Sequence, residues 1–372
     1  MVYNKVATNY KHAEEDAMQQ IENSQKNFRG QKFFVGIDVH KKQWNVSIRS
    51  NQLHLKTYSM NPVPLELQRY LVKNYPAGEY YSIYEAGYCG FWIHEELESL
   101  GIKNKIANPA DIPTKGKEKL TKTDVVDSRK LARELENNTI NGIYVPTKYQ
   151  QELRSLCRLR HSLSVHQTRL KNRIKGHLSF YGKPIPPQSE LYHWSNKFIR
   201  YLKAIEFDYE MGKDYLSYCI EELESTRKRI AEITKKIRRI LPKELIQLFV
   251  SSIPGIGIIT AATIYSEIID MKRFKRIDEL ASYVGLIPST FSSGETQKSY
   301  GITTRRSKYL RKMLIESAWV AVREDPALLL HFNELTKRMN KTRAIISIAK
   351  QLLRRIRHVW LKNEAYVYGI TE

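Results

Sequence analysis

The sequence predicts a mixed-sheet α/β domain followed by a mostly helical remainder, which is an α/β plus α fold class. Short apolar segments alternate with helical segments over about 115 residues after residue 31. Long amphipathic stretches without strand signals then follow. A chain of 372 residues with 42% hydrophobic content is long enough for two or three separately packed domains.

The first domain is predicted to begin with a buried strand, a polar turn and an alternating partner strand in KFFVGIDVHKKQWNVSIRS. A third strand follows in HLKTYSM. Prolines bracket a predicted helix in PVPLELQRYLVKNYP, and a strand ends at the glycine of EYYSIYEAG. A short helix is predicted in FWIHEELESLG, a further strand in KNKIANP, and a helix with aspartates in its first turn in KTDVVDSRKLARELENN.

The remainder is predicted to contain two long amphipathic helices, because apolar residues recur at three- and four-residue spacing on both sides of the break GKPIPP. They form either a helical hairpin or an intermolecular coiled coil. The predicted domains are a polar N-terminal extension (1–31), the mixed-sheet domain (32–146), the coiled-coil or dimerisation helices (147–243) and a compact, mostly helical domain (244–372).

The net charge of +22 and the pI near 9.7 predict a polyanionic partner. Nucleic acid is favoured over an anionic membrane because the cations are spread along the chain. The polar N-terminus is no signal peptide, and the uncharged run 246–266 contains proline and glycines that favour a buried soluble element over a membrane span. Three widely spaced cysteines fit a reducing cytoplasm.

Four carboxylates form the first candidate site. Asp38 interrupts a hydrophobic strand, and Glu85 ends another strand at a glycine. Asp124 and Asp127 are three apart and so share one face of a helix. Individually the last three are explained as ordinary helix-end acids, whereas Asp38 is costly in an apolar strand. Together they predict a site for Mg²⁺ or Mn²⁺ that serves phosphoryl transfer. The adjacent lysines place His40 at the surface.

The segment SIPGIGIITAATI is the second candidate. Pro254, Gly255 and Gly257 predict a tight turn with exposed N–H groups at the start of a helix, an arrangement that binds phosphate without reading sequence. A plain helix–helix turn explains the string about as well. In a chain of this charge, contact with a DNA backbone is favoured.

The third candidate is the segment FSSGETQKSYGITTRRSKYLRK. Ser292 and Ser293 are predicted to lie in a polar loop, where most Ser-Ser-Gly strings are inert turns, although an activated serine hydroxyl can attack a phosphodiester. The cations that follow predict phosphate binding; they are Arg305, Arg306, Lys308, Arg311 and Lys312.

The motifs GIDVHK, YEAG, KTDVVDSRKLA, IPGIGIITAATI, YVGLIPSTFSSGETQKSYGIT and RRSKYLRKML resemble, in this order, those of DEDD-type insertion-sequence transposases. These are relatives of pilin-gene invertases, and some are bridge-RNA-guided recombinases. The resemblance covers residues 33 to the C-terminus. It implies a RuvC-like domain of ribonuclease-H type, a coiled-coil dimerisation region and a C-terminal transposase domain with a helix-hairpin-helix-like motif.

The resemblance also implies roles for single residues. The metal-binding tetrad of the family corresponds to Asp38, Glu85, Asp124 and Asp127. The serine that joins DNA covalently corresponds to Ser293, and its neighbour Ser292 remains an alternative. The implied partners are donor and target DNA, a structured guide RNA and further copies of the chain in a dimer or tetramer. Two other functions remain open, a RuvC-type junction nuclease that leaves the serine idle and a non-catalytic nucleic-acid scaffold.

Overall fold

The chain folds into two compact units, one ending at Val145 and the other beginning at Pro146. The computed structural model describes residues 27–113, 124–293, 296–302 and 307–369, and of residues 288–293 and 296–302 it describes only the backbone. Most of the predicted N-terminal extension therefore lies outside the described residues. Its last part packs on the first unit, where the Phe28 ring lies edge-on to Phe33 and Tyr75.

The first unit contains a five-stranded mixed sheet of order β3-β2-β1-β4-β5, which confirms the predicted mixed α/β domain. β1, β2 and β3 pair antiparallel, whereas β4 is parallel to β1 and β5 to β4. The elements are β1 (Lys32–Val39), β2 (Trp44–Ser50), β3 (Leu53–Met60), α1 (Pro64–Asn74), β4 (Glu79–Glu85), α2 (Trp92–Ser99), β5 (Lys103–Ala107), a 3-10 turn (Pro109–Asp111) and α3 (Asp124–Glu136).

The two faces of this sheet are covered by different helices, because successive strand residues point to opposite sides. On one face Val35 and Ile37 of β1 join the core cluster that contains Leu67 of α1 and Ile93 of α2. On the other face α3 packs its leucines on Ile83 of β4. The acidic ends of β1 and β4 belong to this second face.

Among its described residues, the second unit has helices and one two-stranded antiparallel hairpin, β6-β7. Its elements are α4 (Lys148–Phe180), α5 (Asn196–Lys203), α6 (Glu210–Ile240), a short helix (Lys243–Leu245) that continues as a π-helical turn (Ile246–Val250), α7 (Ile258–Ile268), a 3-10 turn (Met271–Arg273), α8 (Ile277–Val284), β6 (Pro288–Ser293), β7 (Thr296–Ile302), α9 (Lys308–Glu324), α10 (Pro326–Arg338) and α11 (Lys341–Lys362).

The long helices α4 and α6 form an antiparallel hairpin within one chain. Arg160 Nε donates to Thr234 Oγ1 at 2.7 Å, and His177 Nε2 lies 3.0 Å from the carbonyl oxygen of Gly212. Contacts therefore run from the middle of α4 to the end of α6 and from the end of α4 to the start of α6. Of the two alternatives open from the sequence, the hairpin is observed, and an intermolecular coiled coil stays a prediction.

An ion cluster around the buried Glu267 fastens the root of this hairpin to α7. Glu267 is only 4% exposed, and Arg158 donates to it from Nε at 2.8 Å and from Nη2 at 3.0 Å. Arg154 Nε lies 3.6 Å from the same carboxylate. Both arginines belong to α4, so one carboxylate fixes two successive turns of that helix.

A second buried carboxylate holds the C-terminal residues. Asp325 caps α10 by accepting from Ala327 N at 2.9 Å, and it also accepts from Arg355 of α11 at 2.8 Å. The Tyr366 hydroxyl donates to the same carboxylate, as does Gly369 N at 3.3 Å. Residues 366–369 are thereby fastened to the junction of α9 and α10.

The apolar run 246–266 is interrupted by the turn at Pro254, and most of α7 is buried in the core of the second unit. Within the part of the chain that the structure describes, no helix has both the length and the apolarity that crossing a bilayer requires.

Candidate active site

Asp38 and Glu85 lie at the carboxyl ends of two neighbouring parallel strands. The register pairs Ile37 of β1 with Tyr84 of β4, so the two acids are the next residues along each strand. Each lies two positions beyond a residue that α3 covers, Gly36 in β1 and Ile83 in β4. Because side chains alternate, Asp38 and Glu85 face the same side of the sheet as α3.

The close approach of α3 to β1 brings further acids to this edge. A β-carbon at Gly36 would lie 2.1 Å from Ser128 O and 2.4 Å from Ala132 N, so only glycine fits beneath the helix. Ser128 is fully buried, and its Oγ lies 2.8 Å from Ser47 Oγ of β2. The first turn of α3, with Asp124, is therefore held against the end of β1.

His40 lies between two of the carboxylates. Its Nε2 is 3.0 Å from Asp38 Oδ2 and 3.5 Å from Asp124 Oδ2. One ligand atom from each of the three residues lies within 4.8 Å of the other two. The lysines that follow His40 predict a surface position for it. Its side chain is indeed half exposed, but it belongs to the cluster, and the signal was its position two residues after a strand carboxylate.

The carboxylates influence one another. Burial raises the pKa of Asp38, and the charges of Asp124 and Asp127 raise it further, whereas the adjacent His40 lowers it. Asp127 is thus close enough to repel Asp38, although it is not within direct contact. Mutual repulsion of this kind is relieved when a cation binds between the acids.

The donor set fits a divalent cation, since carboxylate oxygens are the ligands that hard divalent ions prefer and imidazole is compatible with the borderline ions. Of the four predicted ligands, Asp38 and Asp124 meet around His40. Asp127 is half-buried one turn further along α3, and Glu85 is exposed at the end of the neighbouring strand. The identity of the ion stays a prediction.

Ser292 and Ser293 are the last two residues of strand β6, so the prediction of a loop at these positions is wrong. The backbone register pairs Ser292 with Gln297 and Ser293 with Thr296 of β7. Cross-strand pairing overrides the weak strand propensity of serine, which is the context dependence expected of β-structure. The serines consequently stand at the tip of a hairpin.

The turn at Pro254 and Gly255 has a packing role that the sequence did not reveal. Gly255 adopts φ +74°, and a β-carbon there would lie 2.4 Å from Ser317 O of α9. Gly257 is the N-cap of α7 and has open space around it. Glycine at 255 therefore lets α9 approach the turn, while phosphate binding by the start of α7 stays a prediction.

The predicted cationic group divides into parts with different surroundings. Lys308 begins α9 behind the N-cap Ser307, and both Lys308 and Lys312 are exposed. Arg311 Nη1 donates to Gly285 O at 3.3 Å, so this guanidinium takes part in packing α8 against α9. Arg305 and Arg306 lie outside the described residues.

Two family models match the chain. One, a transposase model named for the DEDD motif and IS110, matches residues 35–183. The other, described as the transposase IS116/IS110/IS902 family, matches residues 248–332. The first match contains all four carboxylates of the candidate site, and the second contains Ser293 and the turn before α7.

Curated relatives agree with these matches. The transposase y4rJ of Sinorhizobium fredii is 28% identical over 73% of this chain and 74% of its own length. The transposase y4qE of the same organism is 27% identical over 64% of this chain and 58% of its own length. The transposase for insertion sequence element IS1111A of Coxiella burnetii is 25% identical over 76% of this chain and 78% of its own length.

The mixed sheet carries an acidic cluster at the carboxyl ends of its parallel strands, and a helical unit follows it in the chain. Together with the family matches, these features define the protein as a transposase. The chain is a member of the DEDD-type insertion-sequence transposase family, the family of IS110 and IS116. The motif resemblance noted from the sequence is thereby confirmed at the level of the family.

Proposed function

We propose that this protein is the recombinase of an insertion sequence, which cleaves and rejoins DNA strands through a covalent serine–DNA intermediate. The observation that carries the proposal is the meeting of Asp38 and Asp124, far apart in sequence, around His40 at one edge of the sheet. Such a cluster serves phosphoryl transfer in nucleic-acid enzymes, and the net charge of +22 favours the binding of DNA.

Asp38, Glu85, Asp124 and Asp127 are the residues that would hold a divalent metal, Mg²⁺ or Mn²⁺. When bound, such an ion supplies charge stabilisation at phosphate oxygens and favours the deprotonated form of a hydroxyl. The protein's own contribution is positional. Gly36 lets α3 approach β1, and the buried hydrogen bond between Ser47 and Ser128 holds that approach.

Ser293 is the proposed nucleophile, with Ser292 as the alternative. In the first step a bond forms between the serine Oγ and the phosphorus, and the bond from phosphorus to one sugar oxygen breaks. The hydroxyl proton passes to that leaving oxygen. In the second step the sugar hydroxyl of another strand attacks the phosphoserine and restores the serine. The phosphodiester energy is conserved, so no ATP is required.

The backbone of the DNA is proposed to contact cationic side chains of the second unit. Lys308 and Lys312 are exposed on α9, the helix that follows the serine hairpin. The start of α7 at Gly257 offers backbone N–H groups to a phosphate. Arg305, Arg306, Arg311, Pro254 and Gly255 complete the set predicted from sequence, of which Arg311 and Gly255 also serve packing.

A structured guide RNA and assembly into a dimer or tetramer complete the proposal, on the strength of the family alone. The test is whether a defined RNA encoded beside the gene co-purifies with the protein. The same purified complex is then assayed for strand exchange before and after ribonuclease treatment. Full activity of a preparation without RNA would remove the guide from the proposal, whereas loss after treatment supports it.

The serine step is tested with a labelled DNA substrate and a denaturing gel. Ser293→Ala should abolish both the protein–DNA adduct and strand exchange, while Ser292→Ala should retain them. Adducts that persist in Ser293→Ala contradict the assignment, and their loss in Ser292→Ala alone reverses it. Ser99→Ala, at the exposed end of helix α2 in the first unit, is a suitable control.

The carboxylate cluster is tested with Asp38→Asn. This variant should fold and bind DNA but fail to cleave it. Cleavage without adducts in the wild-type chain would favour a junction nuclease of RuvC type over a recombinase. Cleavage unaffected by Asp38→Asn would favour a non-catalytic scaffold and assign the activity to a contaminant.

A further inference from the structure

We propose that His40 is itself a ligand of the metal at the acidic cluster, and that its nitrogen makes the site selective for Mn²⁺ over Mg²⁺. The inference rests on the proposed function only in assuming that the cluster binds a divalent ion. It changes the predicted all-oxygen site into a mixed nitrogen and oxygen site.

The ring nitrogen of His40 lies close to both aspartates. His40 Nε2 lies 3.0 Å from Asp38 Oδ2 and 3.5 Å from Asp124 Oδ2. Two ligands that bind one ion at right angles, each with a bond of about 2.1 Å, are separated by about 3 Å. The nitrogen therefore already stands at the spacing of a neighbouring ligand, and a cation that touches both carboxylates lies within its reach.

The orientation of the His40 ring is also that of a metal ligand. The atom of His40 that faces both carboxylates is a ring nitrogen, and the side chain is half exposed, with 51% of its surface accessible. Neutral imidazole is a frequent metal ligand through either ring nitrogen. A histidine that served only to neutralise the two acids would occupy the same place, but it would compete with the ion instead of binding it.

The position of His40 in the fold keeps it next to the acidic cluster. Asp38 precedes the end of β1, and His40 stands two residues further along, directly before the turn to β2. Because the antiparallel pairing fixes this short turn at both ends, the backbone of His40 is held beside Asp38 at the cluster. Exposed Lys41 and Lys42 stand beside it in the same turn.

The chemical consequence is a change in ion preference. Oxygen-only sites suit Mg²⁺, whereas an imidazole ligand favours divalent ions of the first transition row over Mg²⁺. Among these ions, Mn²⁺ also accepts carboxylates readily. Replacing His40 should therefore lower the affinity for Mn²⁺ much more than the affinity for Mg²⁺. If His40 were only a positive charge that competes with the ion, its removal should raise the affinity for Mn²⁺ and for Mg²⁺ equally.

The test uses the full-length chain without a histidine tag, and two readouts apart from activity. Electron spin-echo spectroscopy of bound Mn²⁺ detects nitrogen coupling, and calorimetric titration gives affinities for Mn²⁺ and Mg²⁺. We expect nitrogen coupling in the wild type and its loss in His40→Ala. Affinity for Mn²⁺ should fall at least tenfold, and that for Mg²⁺ less than threefold. His54→Ala, an exposed histidine of β3, is the matched control.

The outcomes separate this inference from the proposed function. Wild-type protein that binds Mn²⁺ without nitrogen coupling, or His40→Ala with an unchanged or higher Mn²⁺ affinity, overturns the role of His40. If the wild-type protein binds no divalent ion, or if Asp38→Asn leaves the binding unchanged, the metal site itself is overturned. The wild-type spectrum decides the question even if His40→Ala fails to fold.

Discussion

Gly36 of β1 lies directly beneath Ser128 of α3, so close that a β-carbon at Gly36 would stand 2.1 Å from the Ser128 carbonyl oxygen. This contact sets the height of α3 above the sheet. Asp38 stands two residues after Gly36 and Asp124 four residues before Ser128. The distance between the acids is thus determined by a residue that takes no part in the chemistry.

Gly36→Ala should push α3 away from the sheet and disturb the acidic cluster. Overpacking of this kind costs about 1–3 kcal/mol of unfolding free energy, and the displaced aspartates should weaken Mn²⁺ binding as well. Denaturant unfolding and metal titration measure the two effects. Gly176→Ala is the control, because a β-carbon on this exposed residue of α4 meets nothing within 4 Å. Equal stability of both variants would contradict the packing argument.

Ser128→Ala tests the hydrogen bond that holds α3 to β2. Ser128 Oγ lies 2.8 Å from Ser47 Oγ, which in turn lies 2.8 Å from Thr57 Oγ1. Its loss should cost about 1 kcal/mol, because Ser47 keeps Thr57 as a partner. The double variant with Ser47→Ala should show the coupling in a double-mutant cycle. Additive effects of the two substitutions would mean that the contact contributes nothing.

Glu267→Gln should loosen the root of the helical hairpin. The substitution removes the charged partner of Arg158. Breaking a fully buried ion pair costs about 3–5 kcal/mol, and the cost here should be smaller because the Arg158 side chain is 60% exposed, although that of Glu267 is buried. We expect faster amide hydrogen exchange in Ile258–Ile268, the helix that carries Glu267. Glu224→Gln is the control, since its partner Lys203 is exposed and such pairs contribute about 0–1 kcal/mol. Similar exchange in both variants would refute the buried cluster's role.

Asp325 makes stability depend on acid pH. Burial alone would raise the pKa of this carboxylate, but hydrogen bonds from Tyr366, Ala327 and Gly369 and the charge of Arg355 outweigh it and lower the pKa below the usual 3.8. A lowered folded-state pKa contributes stability above the unfolded-state value and loses it as pH falls through the folded-state value.

The melting temperature of Asp325→Asn should therefore lie well below that of the wild type at neutral pH. The gap should narrow only below about pH 4, the ordinary range for an aspartate. High salt should leave the gap intact because the site is buried, whereas the surface pair of Asp278 and Lys350 should respond to salt. A gap that is constant down to the lowest pH would contradict the assignment.

The first unit was predictable from the sequence to a large extent, because buried strands and amphipathic helices leave periodic patterns. The same patterns singled out Asp38, since a carboxylate that interrupts an apolar strand is conspicuous. The pairing of α3 with β1 at Gly36 was not predictable, because a glycine in a strand has several explanations and only the packed helix distinguishes them.

The missed features have a common cause. His40 follows a strand and precedes two lysines, which is typical of a surface turn, and its proximity to Asp124 depends on tertiary packing. Ser292 and Ser293 have weak strand propensity, and the pairing of β6 with β7 supplies the hydrogen bonds that override it. The surroundings of His40 depend on the distant helix α3, and the conformation of the two serines depends on the neighbouring strand β7. Neither contact follows from the local preference of the residue itself.

The helical hairpin has a mechanical consequence. With 33 residues in α4 it is about 50 Å long, and its far end has a hydrophobic core of its own around Leu178 and Phe198. A stiff arm of this length converts a tilt of about 5° at the root into a displacement of roughly 4 Å at the far end. The buried carboxylate of Glu267 fixes the base of this hairpin to α7, so a small rearrangement around Glu267 produces a larger displacement at the far end of the hairpin.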